Sequence, residues 1–143
     1  MRLLAYSAAA LSIMVAGAMA DPIEDRKELM KERGALMRVL GPIAQGQQPF
    51  DAATVLDALE KLSANAEKGT DVATLWAPGT ESGDTKSSPR IWEDAAGYQA
   101  ASDKFKADVD AAVAAAPQDV DAFRAVFGPA AGNCGACHEA YRL

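Results

Sequence analysis

The chain holds one histidine and two cysteines, and all three fall within five consecutive residues, Cys134-Gly135-Ala136-Cys137-His138. C-x-x-C-H is the attachment signature of a c-type haem. Two thiols add across the vinyl groups of a porphyrin, and the following imidazole is held where its nitrogen can bind iron as the proximal ligand. On a helix each residue turns by about 100° and rises by about 1.5 Å, so Cys134 and His138 share a face and Cys137 lies beside them. Competing chemistries fit less well. A structural zinc site collects four N or S ligands, more than this chain owns. A thioredoxin-like pair requires a βαβ setting, whereas the flanking sequence is helical. A plain Cys134–Cys137 disulfide gives the adjacent histidine no reason to be there.

The first twenty residues read as an export signal. Arg2 supplies a positive start, Leu3 to Val15 an apolar run, and Ala18-Met19-Ala20 a small-residue cleavage pattern before Asp21. That run is short for a transmembrane helix, and nothing later in the chain could span a bilayer. Cleavage after Ala20 implies the periplasm, where haem is attached to such motifs. It removes Arg2 and no acidic residue, leaving thirteen basic against twenty acidic side chains, a formal charge of −7. Residues 21–143 then form one ordinary domain. Its acidic balance argues against nucleic acid and anionic membranes as partners.

Alanine is abundant, β-branched runs are absent, and apolar residues recur at helical spacing. The first helix takes Asp21 as N-cap and Pro22 at its first position, with Ile23, Leu29, Met30, Leu36, Met37, Leu40 and Ile43 facing inward. Gly34 in its middle costs about 1 kcal/mol relative to alanine. A flat ring or a backbone passing close would explain it; so would a harmless surface position. Gly41-Pro42 can kink the last turns, and Gly46 to Pro49 ends the element. The second helix runs from Asp51 to about Ala66, with Val55, Leu56, Leu59 and Leu62 inward, and Gly69 stops it. A long connection from Gly69 to Pro89 carries Trp76, expected to fold back over one end of the core. The third helix runs from Pro89 or Arg90 to about Ala116, burying Ile91, Ala95, Tyr98, Phe105, Val109 and Val113. The fourth starts at Asp119 and aligns Val120, Phe123, Phe127, Ala130, Cys134, Cys137 and Tyr141 on one side, with a bend expected at Gly128-Pro129. These elements predict an all-α protein, an antiparallel left-handed four-helix bundle with haem c in its interior. Without the haem, loose packing is expected.

Function turns on the iron's other axial position. A second histidine does not exist, and the methionines beyond the signal are Met30 and Met37. They lie roughly 10 Å apart along the helix, so at most one reaches the iron. An antiparallel arrangement brings the early part of the first helix level with His138, which favours Met30. The bland reading is that either methionine simply fills core.

The chain resembles the cytochrome c-prime family, the class II cytochromes c, over essentially all of residues 21–143. The resemblance shows in Arg26-Lys27-Glu28-Leu29-Met30-Lys31 with Gly34, in Pro89-Arg90-Ile91-Trp92, and in Cys134-Gly135-Ala136-Cys137-His138-Glu139-Ala140-Tyr141-Arg142. It implies covalent haem on Cys134 and Cys137 with His138 as proximal ligand. The position four residues after Arg26 then faces the distal side. A methionine there, Met30, is similar to the six-coordinate low-spin branch, although some five-coordinate members also carry an unbound methionine. The resemblance further implies Arg26 near a haem propionate and Arg142 near the imidazole; the alternative for either arginine is a solvated surface charge. It also implies a monomer or a homodimer through the first two helices.

Two functions fit these residues. With His138 and Met30 both bound, the iron has no vacancy and suits electron exchange with a periplasmic redox partner that the sequence does not identify; a thioether also raises the potential. A five-coordinate iron would instead take NO or CO. An enzyme is the least supported reading. A peroxidase needs a distal acid–base pair, usually including histidine, and the sequence holds neither a spare histidine nor a nucleophile–base pair.

Overall fold

The computed structural model describes residues 21–143; the expected export signal at 1–20 lies outside them. Four long helices, α1 (Pro22–Ala44), α2 (Ala52–Gly69), α5 (Ala95–Ala115) and α6 (Val120–Tyr141), form an antiparallel bundle, joined by the single turns α3 (Val72–Leu75) and α4 (Arg90–Glu93). Around the bundle α1 packs on α2, α2 on α5, α5 on α6, and α6 closes against α1. The described residues contain no strand, only an isolated bridge between Ser87 and Arg142. None of their helices is long and apolar enough to cross a membrane.

Aspartates start the helices, each worth about 1 kcal/mol as a cap. Asp21 accepts from Ile23 N at 2.9 Å, Asp51 from Thr54 N at 2.9 Å and Asp119 from Ala122 N at 2.8 Å. Helices α1 and α6 run unbroken through Pro42 and Pro129. Helix α5 ends where Ala116 turns left-handed at φ 41° before Pro117.

The structure departs from the sequence expectation in the middle of the chain. Helix α2 continues to Gly69, so that glycine is its last residue and Thr70 its cap. The long connection is not wholly irregular, because Asp71 caps the turn α3. The expected third helix is broken at Asp94, whose φ of −127° and ψ of 54° are not helical. Its carboxylate accepts from Gly97 N at 3.1 Å to start α5, and from the Tyr141 hydroxyl at 2.9 Å. This break shifts the register of the turns after it, and Ala95, expected inside, is exposed.

Two apolar clusters divide the bundle. One is closed and includes Leu40, Val55, Leu59, Leu62, Val109 and Phe123, each fully buried. Phe123 stacks on Phe127 with centroids 5.0 Å apart. The other gathers Val72, Trp76, Ile91 and Tyr98, with Cys137 and Tyr141 against it.

Candidate functional site

Beside the second cluster lies a cavity of about 550 Å³, within the range of cofactor sites. Its walls come from α1, α5, α6 and the crossover. Cys134, Cys137 and His138 line it from α6, Met30, Gly34 and Met37 from α1, and Thr85, Lys86 and Ser87 from the crossover. The sequence expectation of one face for Cys134, Cys137 and His138 therefore corresponds to one wall. Both thiols are free and half-buried.

Burial pushes both thiols above their ordinary value, with Arg33 opposing. The imidazole moves the other way, because burial, then Arg142 and Arg33, disfavour its charged form. At neutral pH its ring therefore keeps a lone pair for a metal.

Across the cavity the two methionines differ. Met37 is half-buried and packs against the closed cluster. Met30 is 37% exposed although it lies on the cavity wall. Its thioether is therefore not filling core.

The crossover is fastened on both sides. Ser88 N donates to Tyr141 O and Leu143 N to Lys86 O, both at 2.9 Å, tying it to the end of α6. Trp76, 6% exposed, donates through Nε1 to Ser87 Oγ at 3.2 Å. Tyr98 sits between Trp76 and Tyr141 in edge contacts of 4.6 and 5.1 Å. Burial holds its phenol well above the usual value.

Arg26 is buried, which lowers its pKa. It donates to Leu75 O at 3.1 Å, and to Thr80 Oγ1 and Thr80 O at 3.0 Å. Its guanidinium also faces Trp76 and Trp92 at 5.8 and 5.6 Å. Its Nη groups thus brace the crossover, while Nε is buried without a partner. Arg142 is exposed on the rim.

Arg33 and Asn65 did not stand out in the sequence. Arg33 lies three residues after Met30 and seven after Arg26, the spacing of one helix face, which is the signal that could have found it. Asn65 is 3% exposed on α2, and its Oδ1 accepts from Arg33 Nε at 2.9 Å. Its amide donates to Leu29 O at 3.0 Å and to Glu32 Oε2 at 3.1 Å.

These residues fit a haem. The hollow is lined by apolar and aromatic side chains, with two thiols and a neutral imidazole on one wall and cations at its edge. Gly34 opens into it, since an added Cβ would meet only Arg38 Nη1, at 3.6 Å. A four-helix bundle whose C-terminal helix presents C-x-x-C-H to an internal cavity defines a class II c-type cytochrome.

The comparisons agree. The family model described as Cytochrome C' matches residues 21–142. Cytochrome c-556 of Agrobacterium fabrum is 35% identical over all of this chain and 97% of its own length. The solved cytochrome c' from Rhodopseudomonas palustris superposes with a TM-score of 0.80 at 28% identity, covering 87% of this chain and 98% of that one. A ferrous variant of cytochrome c prime from Alcaligenes xylosoxidans, solved with bound NO, superposes at 0.74 with 32% identity, covering 85% and 93%. The chain belongs to the cytochrome c' family, and it binds one covalently attached haem c.

Proposed function

We propose that the chain is a periplasmic electron carrier, exported by residues 1–20, whose iron is held between His138 and Met30. When bound, the haem supplies a one-electron couple between ferric and ferrous iron. Cys134 and Cys137 would fix the ring through thioether bonds, and His138 would supply the proximal nitrogen. The single observation that carries this reading is Met30. Met30 lines the same cavity as His138 and packs into neither apolar cluster, while Met37, which also lines the cavity, packs against the closed cluster. Trp76, Tyr98 and Ile91 would exclude water from the ring, and Arg142 would discourage protonation of the imidazole. A ligand on each side lets the couple turn over with little rearrangement.

A second reading is favoured by the relative solved with bound NO. In it the iron of this chain is five-coordinate and takes NO or CO, and Met30 is a bystander. One spectrum separates the two. The oxidised protein is expected to show low-spin Soret features and a weak far-red sulfur-to-iron band, both lost in Met30→Ala and retained in Met37→Ala. A high-spin spectrum indifferent to Met30→Ala would leave the gas-binding reading. Either role has the acidic surface meet its partner in the periplasm, as a monomer or as a dimer through α1 and α2.

A further inference from the structure

Arg33 is a half-buried cation on the cavity wall, and two helices besides its own, α2 and α5, hold it. Asn65 on α2 orients Nε at 2.9 Å and is itself anchored to Leu29 O and Glu32. Phe105 on α5 lies flat beneath the guanidinium, with its ring centroid 4.4 Å from Cζ. At Gly69 an added Cβ would come within 2.9 Å of Nη2, so the end of α2 also comes close. Among the described residues no carboxylate lies within 4.0 Å of Arg33, unlike Lys27, Lys31, Lys61, Lys68, Lys104, Lys106 and Arg124. A desolvated charge without a counter-ion is costly, so one held this firmly is informative. Arg33 lines the same cavity as Cys134, Cys137 and His138, so its charge borders the space a haem on that motif would fill.

We propose that Arg33 is a positioning charge that raises the reduction potential of the haem, with Asn65 fixing its place. Reduction adds one electron to ferric iron and gives ferrous iron, and a fixed cation on the wall favours the state with one positive charge fewer. The proposal rests on haem binding in this cavity and is independent of which residue is the distal ligand.

Arg33→Gln keeps a donor for Asn65 and removes the charge; Arg33→Lys keeps the charge. In a mediator-poised redox titration of the haem-loaded proteins, Arg33→Gln is expected to shift the ferrous-to-ferric ratio about tenfold toward ferric iron, a midpoint lower by ~59 mV. Arg33→Lys should recover most of that shift, with the Soret band and axial-ligand features unchanged in both. A haem-loaded Arg33→Gln protein with the parent midpoint overturns the proposal. Should Arg33→Gln fail to retain haem, Asn65→Ala decides, because it releases Arg33 without adding a charge; a fall in the midpoint supports the proposal and an unmoved midpoint overturns it. A parent lacking the far-red band would sink the Met30 reading alone and leave this comparison valid.

Discussion

The two ends of the bundle are built on opposite principles. In the closed cluster, side chains from all four long helices interdigitate, and Leu40, Leu59, Leu62 and Phe123 have no exposed surface. Around the cavity, aromatic walls are held by hydrogen bonds and by a fastened crossover, and they enclose space. One end is completed by the polypeptide; the other leaves a space that a planar cofactor would complete. Phe105 stands at the boundary, with the closed cluster on one side and Arg33 on the other. The difference implies that the closed end can fold before the haem arrives, while the cavity end depends on it.

Phe123→Ala strikes the closed end and should have the largest effect. Phe123 is fully buried and pairs with both Phe50 and Phe127, so the loss should be about 3–5 kcal/mol. Urea denaturation should give the same loss in the haem-loaded protein and in a haem-free Cys134→Ala/Cys137→Ala chain. A loss confined to the loaded protein would mean that the two ends are not separate.

Gly34→Ala probes the hollow end, and its sign should depend on the haem. Alanine favours the helix by up to about 1 kcal/mol, and the added Cβ meets only Arg38. The haem-free chain should gain that stability. In the loaded protein the Cβ enters space reserved for the ring, so the gain should vanish or reverse. Equal gains in both forms would put the haem away from Gly34.

The closed end was readable in the sequence almost residue by residue. Val55, Leu59, Leu62, Phe123 and Phe127 recur at helical spacing, and Asp21, Asp51 and Asp119 announce the helices they cap. Both are local signals. The shared cavity wall of Cys134, Cys137 and His138 was readable for the same reason, since they are neighbours in the chain. The break at Asp94 was not, because it depends on Tyr141, 47 residues away. Nor was the role of Arg26, whose acceptors lie 49 and 54 residues further on. Arg33 resembles any helical surface arginine until α2 and α5 are laid against it. What escaped sequence reasoning is therefore the polar scaffolding between distant segments, and most of it surrounds the cavity.

The smallest expected effects concern two carboxylates two residues apart on α5. Asp110 accepts from Lys106 and from Ser63 on α2, both at 2.5 Å. Asp108 accepts from Lys104 and from Asn133 on α6, both at 2.7 Å, and Asn133 lines the cavity. Each lysine, then the second donor, holds its aspartate below the ordinary carboxylate value. A depressed folded-state pKa stabilises the fold above the unfolded value, about 3.9, and that contribution is lost as pH falls through the folded pKa. Asp110→Asn and Asp108→Asn should therefore each lower Tm at neutral pH by about 2 °C or less, with the gap to the parent closing below about pH 4. Asp110 bridges helices of the closed end, so its gap should be the same with and without haem. Asp108 grips α6 one residue from Cys134, on the wall that a haem attached there would hold in place, so its gap should shrink in the haem-free chain. Identical behaviour of the two aspartates would mean that the cavity wall is as rigid without haem as with it, and that the hollow end folds on its own.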